Sequence, residues 1–225
     1  MGRAAWDTSH LGKLFERYLI YPLSELFDEE KNTKGHLDVH KLFSRCLAEE
    51  DWLAQVFSRR ITIYNSGSRV GLQNICGKGD LLSYLEDPKE SFFMPVKETG
   101  PDIVFVINVH QSNSSEPIRI PVFVQSKNLP PERTFFDNQH HKSSEKRNRI
   151  IECLKTKYQP ARNLGISSMG MLVIYPYKIK LPQYSYDEDT QELTIIVDGA
   201  NARDFIHKDV IAVLDALKQP TSKNE

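Results

Sequence analysis

Two apolar stretches decide the fold of this chain: GPDIVFVINV at residues 100–109 and IRIPVFVQSK at residues 118–127. Both are rich in β-branched residues, which favour strands. The short polar segment between them predicts a turn, so the two strands should pair as antiparallel neighbours. The start of the first strand then lies beside the end of the second, which brings Asp102 close to Gln125 and Lys127.

The second of these strands ends in polar residues. Side chains two positions apart in a strand point to the same face, so Gln125 and Lys127 project together with Phe123. The residues just before them, 121–124, are apolar and are predicted to be buried. Because an amide or an ammonium group is costly to bury without a partner, we expect this strand to end at a polar site or at solvent.

The rest of the chain predicts an α/β fold, a sandwich of helices around a central mixed sheet. Apolar residues at helical spacing predict a first helix over about residues 8–27, which Pro22 should end or kink. The other predicted elements are a helix over 37–59, a strand over 61–64, a short helix over 77–86, strands over 92–96, 101–109 and 118–127, a basic helix over 138–164, strands over 169–175 and 193–197, and a last helix over 202–218.

The length of 225 residues suits a single domain over 1–225. Its first part, 1–87, is predicted to be mainly helical, and 88–225 to form the α/β core. Hydrophobic residues make up 40% of the chain, which is too many for a disordered protein. No apolar run approaches the roughly 20 residues that cross a bilayer, so no membrane partner is expected.

Charge and cysteine content narrow the functional classes further. Cys46, Cys76 and Cys153 lack zinc spacing and are expected to be free thiols in a reducing, intracellular compartment. The formal net charge is −1, so any binding to nucleic acid requires a local basic surface.

The helix predicted over 138–164 offers such a surface. Lys142, Lys146 and Arg149 follow one another at intervals of four and three residues, which aligns them on one face. A positive stripe of this kind suits contact with the phosphates of DNA. The alternative interpretation is a solvated helix face without a binding role.

The pairing of Pro101-Asp102 with Gln125-Ser126-Lys127 resembles the PD-(D/E)xK nuclease superfamily, in a variant where glutamine replaces the middle acid. GKLFE at 12–16 resembles the G-x-x-F-E start of the first helix in many of these nucleases. Within the superfamily, the same residues and VFVQSKN at 122–128 resemble the C-terminal nuclease domains of Crinkler-type effectors from oomycetes and fungi.

The resemblance implies a restriction-endonuclease-like fold that hydrolyses phosphodiester bonds of DNA with Mg²⁺ or Mn²⁺. Asp102 would bind the metal with the side-chain oxygen of Gln125 and the backbone carbonyl of Ser126. Glu16 would bind the metal or an outer-shell water, and Lys127 would position or deprotonate the attacking water. A Crinkler-type nuclease would be a cytotoxic effector in the nucleus or cytoplasm of a host cell. Many nucleases of this fold are homodimers, although no feature of the sequence marks an interface.

The glutamine leaves other functions open. Gln125 removes a negative charge that a magnesium site would use. One alternative is therefore a catalytically degenerate module that binds nucleic acid or a protein partner, and another is an interaction protein in which the site is a remnant. In the simplest interpretation, Asp102 is a turn residue after Pro101, Gln125 an edge amide, Lys127 a solvated strand end and Glu16 a solvated helix residue.

Overall fold

The computed structural model describes residues 8–27, 60–65, 81–95, 101–110, 114–126, 168–175, 184–187, 189, 192–206 and 208–216. Its helices and strands, in chain order, are α1 (Thr8–Phe27), β1 (Ile61–Ile63), α2 (Leu81–Glu86), β2 (Ile103–Val109), β3 (Ile118–Ser126), β4 (Met169–Val173), β5 (Tyr184–Asp187), β6 (Glu192–Val197), α3 (Ala202–Phe205) and α4 (Lys208–Ala216).

The strands form one mixed sheet in the order β1-β2-β3-β4-β6-β5. β2 pairs antiparallel with β1 and β3, and β5 pairs antiparallel with β6, whereas β3, β4 and β6 run parallel. The carboxyl ends of these three parallel strands meet at one edge, where Ser126, Val173 and Val197 are in register. We call this the carboxyl edge. Because β2 runs the other way, its first residue lies at the same edge.

Both faces of the sheet are covered by apolar side chains. On one side, which we call the α1 face, Phe105 and Val124 belong to a core that includes residues of α1 and α4. On the other, which we call the α2 face, Val104 and Phe123 pack with Leu81 of α2. This arrangement explains why β2 and β3 are continuous apolar runs. The predicted class, a mixed sheet flanked by helices, is confirmed.

Helix α1 has the predicted bounds, and Pro22 lies inside it without ending it, since the helix continues to Phe27. The alternative, a kink at Pro22, stays a prediction. A proline inside a helix costs about 3 kcal/mol because it lacks an N–H and crowds the preceding turn. The turn beyond Pro22 buries Leu23, Leu26 and Phe27. Full burial of such a side chain contributes about 1.5–3 kcal/mol, so three of them outweigh the cost of the proline.

Several strand predictions are confirmed, namely those that fall on β1, β2, β3, β4 and β6. Residues 92–96 are different, because Phe93 is the one residue of the described part, 92–95, that pairs with the sheet, through a bridge to Val104. The remainder of that side of β2 is already paired with β1 and Tyr64. β5 was not predicted; it is an edge strand with one neighbour and two polar residues in its four.

The last predicted helix, 202–218, is two helices in the structure. The backbone of Ile206 is extended, with φ −124° and ψ 125°, and it separates α3 from α4. The helices predicted over 37–59 and 138–164 lie outside the described residues. Within the part of the chain that the structure describes, no helix is long and apolar enough to span a membrane.

A tyrosine–aspartate hydrogen bond joins α4 to the carboxyl edge. The hydroxyl of buried Tyr175, which follows β4, donates to Oδ1 of Asp215 in α4 over 2.5 Å. Burial of the phenol raises the pKa of Tyr175 above its usual 10.0. The hydrogen bond and the negative charge of Asp215 raise the pKa further, and Arg203 opposes them. The hydroxyl therefore remains a donor at pH values where a solvated tyrosine would ionise.

We predict that this bond makes folding stability sensitive to alkaline pH. Since the pKa of Tyr175 is raised in the folded state, its contribution is complete below pH 10.0 and is lost progressively above it. The difference in free energy of unfolding between wild type and Tyr175→Phe, from urea denaturation between about pH 8 and pH 11, should therefore shrink above pH 10. Tyr18→Phe, at an exposed position, is the control and should show a constant difference. A constant difference for Tyr175→Phe would contradict the prediction.

Candidate functional site

The antiparallel ladder of β2 and β3 places Asp102 beside Gln125. The register pairs Ile103 with Val124. The backbone N–H of Asp102 donates to the carbonyl of Val124 over 2.9 Å, which extends the ladder by one step. The side chain of Gln125 then donates its Nε2 hydrogen to Asp102. The predicted approach of Asp102 to Gln125 is confirmed.

One oxygen of the Asp102 carboxylate, Oδ2, accepts three hydrogen bonds from described residues. The donors are Nε2 of Gln125, the backbone N–H of Ser126 at 2.7 Å and the Ser126 hydroxyl at 3.1 Å. Gln125 and Ser126 are only 3% and 7% exposed, so their donors need a partner inside the protein. Asp102 is that partner, and among the described residues its Oδ1 is the oxygen that remains available for another ligand.

The direction of the Gln125 hydrogen bond matters for the chemistry. Its amide nitrogen faces Asp102, so its oxygen, at the other corner of the amide, is turned away from the carboxylate. A glutamate at this position would place a second negative charge beside Asp102, and one of the two carboxylates would need a proton or a cation. The glutamine therefore lets the side chains of Asp102 and Gln125 pair without a proton or a cation between them.

Asp102 and Gln125 lie on the opposite face of the sheet from the predicted fourth residue of the site. Gln125 alternates with Phe123 and Asp102 with Val104, and both of those residues face α2. Glu16 is half-buried in α1, which packs against the other face. A metal ion bound by both Asp102 and Glu16 would have to lie at the carboxyl edge, near the first residue of β2. The role of Glu16 stays a prediction.

Several predicted functional residues lie outside the described residues. These are Lys127, the basic stripe of Lys142, Lys146 and Arg149, and the three cysteines. Within the described ranges, no group of three or more His, Cys, Asp or Glu side chains is arranged to hold a metal ion. The predicted set contains only two acids and would take its other ligands from an amide and a backbone carbonyl.

Sequence reasoning missed two buried polar residues at the same edge, Asp198 and Asn201, which follow β6. Asp198 Oδ1 accepts the N–H of Ala200 at 2.7 Å, and Asn201 Nδ2 donates to the carbonyl of Ile196 at 2.7 Å. Asn201 Oδ1 also accepts the N–H of Asp198 at 2.7 Å. The sequence Asp-Gly-Ala-Asn after an apolar strand was the available signal of a turn. These contacts give both side chains a structural role between β6 and α3.

The chain was compared with protein-family models, with curated proteins and with solved structures, and none of them matches it. A function for this protein must therefore follow from the contacts of its own residues, above all those of Asp102, Gln125 and Ser126.

We predict that Asp102 stabilises the edge as well as forming the site. Asp102→Ala leaves the donors of Gln125 and Ser126 without their acceptor, which should cost about 2–4 kcal/mol of unfolding free energy. Asp102→Asn keeps an acceptor oxygen and should cost about 1 kcal/mol. Urea denaturation measures both, with Asp87→Ala at an exposed position as the matched control. An alanine variant as stable as wild type would show that these contacts contribute nothing.

Proposed function

We propose that this protein is a divalent-metal-dependent nuclease of the restriction-endonuclease-like fold, which hydrolyses phosphodiester bonds of DNA. The observation that carries the proposal is the contact of Asp102 with Gln125 and Ser126 at the ends of paired strands. The mixed sheet with helices on both faces supports it. An effector role within a host cell belongs to the same proposal.

The oxygen atoms at this site are of the kind that bind a hard cation. Asp102 offers its Oδ1, Gln125 an amide oxygen and Ser126 a hydroxyl and a backbone carbonyl, and Mg²⁺ and Mn²⁺ prefer oxygen ligands. Gln125 would have to turn its amide over, because nitrogen is the atom that now faces Asp102. Such an ion would acidify a water molecule and stabilise negative charge on the scissile phosphate.

The residues of the chain divide the remaining work. Ser126 holds Oδ2 of Asp102 with its N–H and its hydroxyl, which fixes the carboxylate and would leave Oδ1 as the metal ligand. Lys127, the next residue of the chain, would position the attacking water or take its proton. Glu16 would bind an outer-shell water at the carboxyl edge. The stripe of Lys142, Lys146 and Arg149 would bind DNA phosphates beside the site.

The test is a cleavage assay on plasmid and linear DNA with Mg²⁺ or Mn²⁺. We predict that the wild type cuts and that Asp102→Asn loses at least about 100-fold in rate, equivalent to about 2.7 kcal/mol, because it loses the charged metal ligand. Lys127→Ala should also be strongly impaired. Asp87→Asn, the same change at an exposed site, should cut like wild type. The proposal fails if the wild type leaves DNA intact with both metals, or if Asp102→Asn cuts as well as the parent.

The orientation of Gln125 favours a second candidate function, a degenerate nuclease fold that binds nucleic acid or a protein partner without cutting. The amide N–H already satisfies the carboxylate of Asp102, so the pair needs no cation to be stable. In this case the protein would bind DNA without Mg²⁺ or Mn²⁺, and would do so through the basic stripe. If the protein is instead an interaction protein, its activity would not change when the charges of Lys142, Lys146 and Arg149 are removed.

Gln125→Glu distinguishes the two candidates. It places two carboxylates side by side, so the melting temperature without metal should fall, and added Mg²⁺ should raise it more than in wild type. If wild type is inactive and Gln125→Glu cuts DNA, the site is a degenerate nuclease. Gln125→Leu, which removes the amide without adding charge, is the control and should not respond to Mg²⁺. An equal response of wild type and Gln125→Glu to Mg²⁺ would contradict the predicted role of residue 125.

A further inference from the structure

A polar cluster occupies the α2 face at the other end of β2. Asn108 is in register with Thr62 of β1 on one side and with Arg119 of β3 on the other. By alternation with Val104, Asn108 projects on the same face as Asp102. The two positions are 108 − 102 = 6 residues apart, or about 20 Å along the strand. The cluster is therefore separate from the proposed metal site.

The amide oxygen of Asn108 makes no hydrogen bond that would stabilise the fold. Oδ1 is buried and accepts no hydrogen bond in the described structure. The adjacent Thr62 hydroxyl has a partner, since it shares a hydrogen bond with Nε2 of His110 over 2.9 Å. A buried acceptor without a donor destabilises a protein. An apolar residue of similar size would serve folding better here. Asn108 as a whole is only half-buried, so a ligand that moves its neighbours aside can supply the missing donor.

Two planar groups belong to residues on, or directly after, the strands that flank Asn108. The guanidinium carbon of Arg119 lies 4.5 Å from the centroid of the Tyr64 ring. Tyr64 is paired with Val106 on the far side of β2 from Arg119, so the arginine side chain passes across β2 to reach the ring. Arg119 is exposed, and no ion pair of its guanidinium is found among the described residues. Because the side chain is exposed, the guanidinium is accessible to a second planar group or an anion.

We propose that Asn108, Arg119 and Tyr64 form a binding site for an adenine base that carries a phosphate. The amide of asparagine matches adenine in both directions, because Oδ1 accepts from the exocyclic amine N6 while Nδ2 donates to the ring nitrogen N7. The base stacks on the guanidinium or on the tyrosine ring, and Arg119 also attracts the phosphate. Inorganic phosphate alone does not supply the donor that Asn108 lacks.

The same chemistry occurs in a free nucleotide and in a strand of nucleic acid. Calorimetric titration of the full chain with AMP and with a short single-stranded oligodeoxyadenylate separates these sources. Binding of both identifies a base site that also accepts mononucleotides, and binding of the oligonucleotide alone identifies a strand site. If neither binds at millimolar concentration, the proposal is wrong. The titrations are done in EDTA, so their outcome is independent of the metal-dependent cleavage assay.

Matched ligands and variants test the assigned contacts. IMP, in which a carbonyl replaces the amine, should bind about tenfold more weakly than AMP, because it faces Oδ1 with another acceptor. Arg119→Lys should lose about tenfold, since a lysine keeps the charge and loses the plane. Arg17→Lys, in α1 on the opposite face, is the control and should bind like wild type. Equal affinity for IMP and AMP would overturn the assignment of Asn108.

Asn108→Leu gives a readout that a structural role would not produce. Because the unpaired acceptor is removed, the urea midpoint should rise, while AMP or oligonucleotide affinity should fall at least about tenfold. Binding that survives in a folded Asn108→Leu protein would overturn the proposal. A lower midpoint would show that the amide serves the fold, which would also contradict it.

Discussion

The hydrogen-bonded ladder between β2 and β3 is the constraint on which the rest of this structure depends. It pairs residues from Ile103 with Val124 to Val109 with Ile118, and both strands are buried on two faces. A slip of one residue would exchange the faces of every side chain in one strand. Gln125 would then leave Asp102 and enter the core on the α1 face without a partner. The packing of the sheet therefore also fixes the geometry of the candidate site.

The contacts of Asp102 determine how a metal ion would have to bind at this site. Gln125 and Ser126 direct three hydrogen bonds to Oδ2 of Asp102, which gives these buried donors an acceptor and leaves Oδ1 available in the described structure. A pair of carboxylates would bind a cation more tightly but would repel without one. With glutamine, the carboxyl edge needs no cation for its stability. A cation would have to compete with the hydrogen bond from Gln125 to Asp102. If a cation displaces this hydrogen bond, the site can serve a nuclease. If the hydrogen bond persists, the protein is a degenerate module.

Much of this architecture follows from the sequence, and the exceptions have physical reasons. Apolar runs rich in β-branched residues predicted β2 and β3, and the predicted turn between them placed Asp102 near Gln125. The sequence did not indicate which atom of the Gln125 amide faces Asp102, because that depends on the charge of its neighbour. Pro22 does not end α1, because three buried side chains beyond it outweigh its local cost. Edge strand β5 has too little apolar pattern to be recognised.

The central claim is that Asp102 and Gln125 form a metal site, and a crystal of this protein soaked in Mn²⁺ tests it most directly. The account predicts an anomalous difference peak at the Asp102 carboxylate, with the Gln125 amide turned so that its oxygen replaces its nitrogen at the site. The account would be contradicted by a well-ordered edge at saturating Mn²⁺ that shows no peak there and still has the Gln125 nitrogen bonded to Asp102.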